Sequence, residues 1–137
     1  MNIEEAVSLL RKNEMEVPLP PRLPSEVEVE LIESELGVVF HEDYRYYLLN
    51  GSNAVYGTLE PAMLTLPKAH FHLPTLVASA RKFGVPERLL PICSDNGDFY
   101  CIAENGVIEY FSHNGASKET WPNLGEWIVR VWLKIQA

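Results

Sequence analysis

Cysteine is scarce in this chain: Cys93 and Cys101 are the only two among 137 residues. Two cysteines cannot supply the disulfide framework of a small secreted domain, and their scarcity fits a reducing, cytoplasmic setting. No apolar run approaches the ~20 residues that span a bilayer. The first ten residues carry Glu4 and Glu5 and lack a basic stretch followed by an apolar one, so no secretory signal is expected there. Basic residues are also few. Eleven Lys and Arg face nineteen Asp and Glu, for a net charge of −8. That balance disfavours nucleic acid and anionic membranes and suits a basic protein partner. The plainer reading is that acidity aids solubility.

Catalytic motifs are missing as well. There is no phosphate-binding glycine loop, no nucleophile elbow, and neither His-Glu-x-x-His nor Cys-x-x-Cys. The two cysteines lie eight apart with no evident base beside them. His70-Phe71-His72 would place two imidazoles on one side if extended, but two ligands do not make a metal site. Asp95-Asn96-Gly97-Asp98 lacks the twelve-residue ligand pattern of a calcium loop and reads as a turn. Neither a metal, a cofactor nor a catalytic residue is assigned.

What is present fits one α+β domain over residues 1–137. It divides into an N-terminal helix and proline-rich connector, 1–22, and a core, 23–137. Ile3, Val7 and Leu10 recur at helical spacing within 2–13. Four prolines between Pro18 and Pro24 enforce an extended connector, expected to lay Leu19 and Leu23 on the body. Ser25 with Glu28 forms a capping box for a helix ending at Gly37. That helix holds Glu26, Glu28, Glu30, Glu33 and Glu35 and no basic residue. A third helix covers 41–50, stopped at Asn50-Gly51, with Tyr44, Tyr47 and Leu48 on its apolar stripe. A short strand is expected at 63–66 and a helix at 73–83, with Pro74 in its first turn and Gly84 after its end.

In the last third of the chain Asn-Gly occurs at 96–97, 105–106 and 114–115, nine residues apart each time. Asn-Gly between apolar runs marks a tight hairpin, because both residues accept positive φ. Strands are therefore expected at 89–95, 98–104 and 107–113, while 116–119 makes a poor one. A two-residue turn at Asn96-Gly97 would pair Asp95 with Asp98, Cys93 with Tyr100 and Ile92 with Cys101. The cysteines would then face opposite ways and form no disulfide. A closing helix at 123–135, with Leu124, Trp127, Ile128, Val131, Trp132 and Ile135 on one side, should pack on this meander.

Three stretches resemble the SMI1/KNR4 domains, the first group of the SUKH superfamily. They are Leu23-Pro24-Ser25 with the acidic helix to Gly37; Asp43-Tyr44, Leu48 and Asn50-Gly51; and Leu90-Pro91-Ile92, Asp95 to Asp98, Tyr100-Cys101-Ile102 and Leu124-Gly125-Glu126-Trp127-Ile128. The sequence departs from the family's pattern at His41, where a proline is usual, and at Asn96-Gly97, in place of a glycine-richer turn. The resemblance implies a curved antiparallel sheet with helices around it. It also implies a non-catalytic binding role. Bacterial members are typically immunity proteins that neutralise toxin domains, often nucleases, of polymorphic or contact-dependent systems, and fungal relatives act as signalling hubs.

The partner expected on these grounds is a basic toxin domain, with neither nucleic acid nor membrane as a target. Charge clustering nominates Glu28, Glu30, Glu33, Glu35, Glu42, Asp43, Asp95 and Asp98 as contacts. Residues 1–45 alone hold eleven acids against four bases. A regulatory scaffold and a hydrolase with an unrecognised site are the alternatives, and the chain could act as a monomer or a homodimer.

Overall fold

The computed structural model describes residues 1–112 and 115–135, and for 115–118 the backbone alone. Five helices surround a five-stranded antiparallel sheet of order β1-β2-β3-β4-β5. The strands are β1 Glu60–Pro61, β2 Leu89–Asp95, β3 Asp98–Ala103, β4 Ile108–Ser112 and β5 Gly115–Trp121. The helices are α1 Ile3–Asn13, α2 Glu26–Leu36, α3 Glu42–Asn50, α4 Leu73–Phe83 and α5 Leu124–Trp127. The chain continues from α5 through a wider π-helical turn, Ile128–Trp132, closed by the Leu133 N–H on the Ile128 carbonyl at 2.8 Å. The α+β fold class and the meander are as the sequence implied.

The β2–β3 hairpin shows how local residue choice sets the register. Asn96 and Gly97 adopt φ of 52° and 88°. This two-residue turn opposes Asp95 with Asp98 and Cys93 with Tyr100. The expected pairing then fails by one residue, because Pro91, not Ile92, opposes Cys101. Ile92 is the extra residue of a bulge, and its carbonyl accepts the Ala62 N–H at 2.8 Å beside β1. Side-chain alternation along β3 still sends Cys93, which shares a face with Tyr100, to the opposite side from Cys101, and both thiols are free and buried.

The second hairpin differs from expectation. Asn105 keeps negative φ, and only Gly106 is left-handed. The Gly106 N–H donates to the Ala103 carbonyl, and Asn105 Oδ1 accepts the Val107 N–H, so the loop has three residues. Asn114 of the third Asn-Gly pair lies outside the described residues. The stretch 116–119, a poor strand by composition, is nonetheless strand, because β5 pairs with β4 from Ser112↔Gly115 to Ile108↔Trp121.

Helices cover both faces of the sheet. Phe83 of α4 contacts Phe99 at 5.4 Å and Phe111 at 6.3 Å on one face. On the other, Trp127 of α5 lies 5.2 Å from Tyr100. Rings continue from there through Trp132 and Tyr47 to Tyr44 and Phe40, tying α3 and α5 to the sheet. Ile3, Ala6, Val7 and Leu10 add α1 to this core.

Two further expectations are corrected. Residues 63–66 are not a strand. The Met63 N–H and carbonyl bond to Phe71 and Leu73, so their bonding capacity goes to a loop, and Glu60–Pro61 forms the edge strand instead. Leu19 is 91% exposed and so does not lie on the body, whereas Leu23, the connector's other leucine, is half-buried.

Candidate protein-binding surface

Helix α2 begins as its sequence dictates. The Ser25 side chain accepts the Glu28 N–H, and the Glu28 carboxylate accepts the Ser25 N–H at 2.9 Å. Arg22, outside the helix, adds two bonds to that carboxylate at 2.6 and 2.7 Å. The guanidinium, followed by the Ser25 N–H, holds the Glu28 carboxyl down to about 2. Near the other end, Glu33 accepts from Arg45 of α3 and from the Phe40 N–H, both at 2.7 Å. Thus two acids nominated as partner contacts tie α2 to its own fold, and their cations come from Arg22 and Arg45.

The remaining acids divide into groups. Glu30, Glu35 and Glu42 are exposed and make no ion pair among the described residues. Asp43 is half-buried, with its carboxylate 4.0 Å from His41 Nδ1, which itself accepts the Asp43 N–H at 3.0 Å as the N-cap of α3. Asp95 and Asp98 sit directly opposite one another at the β2–β3 turn. Each accepts a tyrosine hydroxyl: Tyr110 donates to Asp98 at 2.6 Å and Tyr100 to Asp95 at 3.5 Å. The bond to Asp98 raises the Tyr110 hydroxyl, and burial and then Asp95 push Tyr100 up to about 12.

These acids do not form one patch. The α2–α3 connector meets the sheet at Leu90, Ile102 and Ala103, where Val39, His41, Glu87 and Arg88 help enclose a cleft of about 310 Å³. Asp95 lies at the far end of β2, five residues on, which is roughly 17 Å along a strand. The α2–α3 connector and the turn acids therefore lie at opposite ends of the hairpin.

Exposed apolar residues were missed by the charge-based reading. Val27 and Leu31 on α2 are 64% and 62% exposed, and Val39 just beyond it is 92% exposed. The signal was present in the spacing. Val29, Ile32 and Leu36 form the inward stripe, Val29 fully buried and the others packed against the core. Val27 and Leu31 fall off that stripe at i, i+4 on the outward arc.

Chemistry at the other candidate positions is limited. Burial pushes both cysteine thiols up to about 12, which keeps them protonated and poorly nucleophilic at neutral pH. The cleft wall carries neither thiol nor hydroxyl side chains, and its Arg88 is engaged by both oxygens of Glu109 at 3.0 and 3.1 Å. His70 is largely exposed beside Glu60, and His72 occupies the N-cap position of α4. Among the described residues no group of three or more His, Cys, Asp or Glu could hold a metal ion, and no helix is long and apolar enough to cross a membrane.

Comparison with known proteins agrees with the fold. A family model described as SMI1-KNR4 cell-wall matches residues 3–133. It represents the fifth SUKH group, rather than the first that the motifs resemble. The crystal structure of a protein from Pseudomonas syringae pv. tomato superposes with a TM-score of 0.91 and 37% identity, covering 96% of this chain and 98% of that one. No curated protein matches. With its capped acidic helix, Asn-Gly meander and closing Trp-rich helix spread across nearly the whole matched length, this chain belongs to the SMI1/KNR4 family of the SUKH superfamily.

Proposed function

We propose that this protein is a non-catalytic binding domain, an immunity protein that captures and neutralises a basic toxin domain, of nuclease type, from a bacterial polymorphic or contact-dependent system. The observation that carries the reading is the set of outward carboxylates Glu30, Glu35 and Glu42, which no internal cation offsets among the described residues. A nuclease gathers positive charge to hold phosphates, so an acidic protein is steered toward it and can occupy its anion-binding cleft. Capture requires no reaction step. It takes place in the cytoplasm, where the toxin acts.

Co-expression tests this directly. A candidate toxin domain taken from a gene adjacent to this one is induced in cells with and without the protein. Growth rescue together with a co-purifying complex is expected. Equal killing in both cultures and no complex would end the reading for that pair. Capture of several unrelated signalling proteins, with no toxin among them, would favour the scaffold alternative.

A further inference from the structure

Resting on the binding reading above, we infer that the outer face of α2 is the docking surface, with Val27 and Leu31 as its apolar centre and Glu30 and Glu35 as its rim, for a protein surface that sets apolar side chains among lysines or arginines.

On a 3.6-residue repeat, Val27, Leu31 and Ser34 lie at the middle of the outward arc, while Glu30 and Glu35 border it on opposite sides. Val27 and Leu31 are each more than three-fifths exposed, although α2 is otherwise placed tightly by Val29, the capping box, the Arg22–Glu28 pair and the Arg45–Glu33 pair. The helix is thus rigidly held while its apolar pair stays in water. A lone exposed apolar residue is ordinary, but two on successive turns of an anchored helix, fenced by carboxylates, have the layout of an interface core and rim.

Charge decides the occupant. A second copy docking by two-fold symmetry would bring this face against itself and set Glu26, Glu30 and Glu35 against their equivalents, which repel. The two glutamates already neutralised, Glu28 and Glu33, point to tethers, and the unneutralised ones are those beside the apolar pair. A cationic surface with an apolar centre satisfies both features. Burial of Val27 and Leu31 would then hold the complex, and the rim acids would speed its formation.

The test uses the full-length ¹⁵N-labelled protein and two synthetic helical peptides with one leucine pattern, lysine at the polar positions of the first and glutamate at those of the second. The lysine peptide should perturb amides centred on Val27, Glu30 and Leu31, and the glutamate peptide should not. The Val27→Ser/Leu31→Ser double variant alters exposed positions only, so it should keep the parent's circular dichroism and melting temperature. It should bind the lysine peptide about tenfold or more weakly. Glu30→Gln/Glu35→Gln should weaken binding several-fold and reduce its salt dependence.

Perturbations centred on Asp95 and Asp98, or undiminished binding by the serine double variant, would overturn the assignment. So would a concentration-dependent dimer that dissociates on the serine substitutions, which would make the occupant a second copy. The two readings separate in the co-expression assay. If the serine double variant still rescues growth, the immunity reading stands and this face is wrong. If the peptide maps to α2 but the parent never rescues growth, the face stands and the toxin assignment falls.

Discussion

Replacing Glu28 by Gln isolates one charge in α2, and the outcome can be worked out in advance. Gln at this position still offers an oxygen to the Ser25 N–H, so the reciprocal cap survives. What is lost is the negative charge that Arg22 contacts through two nitrogens. The Glu28 carboxyl falls from 4.5 to about 2 in the folded protein, an upper bound of about 3.5 kcal/mol at about 1.4 kcal/mol per tenfold. The side chain is 35% exposed, and solvent screening of such a pair reduces the expectation to about 1 kcal/mol.

The sign follows from linkage. Because folding depresses this carboxyl, its contribution is complete above pH 4.5 and is lost as pH falls toward 2. Urea unfolding followed by tryptophan fluorescence at pH 7, 5, 4, 3 and 2 gives the comparison. The parent should exceed Glu28→Gln by about 1 kcal/mol at pH 7, and most of the gap should be gone by pH 2, where Glu28 is protonated in the unfolded chain and about half protonated in the folded one. Other acid-sensitive groups are common to both proteins and cancel. A gap of equal size at pH 7 and pH 2, or one unaffected by 1 M salt at pH 7, would refute the assignment to the ionised pair.

Three further outcomes are expected. Gly97→Ala places a side chain at φ 88° and should lower unfolding free energy by about 1–2 kcal/mol, measured by urea denaturation; an unchanged midpoint would contradict the left-handed turn. Gly125→Ala would set a Cβ 2.6 Å from the Met1 carbonyl oxygen and 2.9 Å from that of Asn2, which caps α1, so α1 must shift at a cost of about 1–3 kcal/mol, read as a lower melting temperature. Cys93 and Cys101 should resist Ellman's reagent at pH 8 in the folded protein and both react after denaturation, because burial raises each thiol to about 12; reaction of either in the folded state at the rate of a free thiol would contradict the packing.

The elements written in local chemistry were legible in advance. Ser25 and Glu28, Pro74 and Gly84, and Asn96-Gly97 each fix a helix end or turn through atoms a few residues apart, and α2, α4 and β2 begin or end where those residues stand. Features that depend on distant partners were not. The bulge at Ile92 arises where its carbonyl meets the Ala62 N–H, and β5 forms because β4 is there to pair with it. The surface follows the same division. Charge counting found α2 but could not tell that Arg22 and Arg45 reach Glu28 and Glu33, nor that Asp95 and Asp98 lie at the end of the hairpin opposite the α2–α3 connector. Val27 and Leu31 were hidden by the alternation of Glu and Val along α2, which masks the three-and-four spacing of Val29, Ile32 and Leu36.

The two borders of the sheet are unequal. At β1 the border is two residues long and ends in Pro61, which has no N–H to offer an incoming strand. Gly115–Trp121 at the opposite border is seven residues long. Head-to-tail growth of a filament from folded molecules needs a donor edge and an acceptor edge on every copy. Among the described residues, a strand added at β5 would leave only the short, proline-ended β1 border at the far side of the sheet, which disfavours propagation by this route.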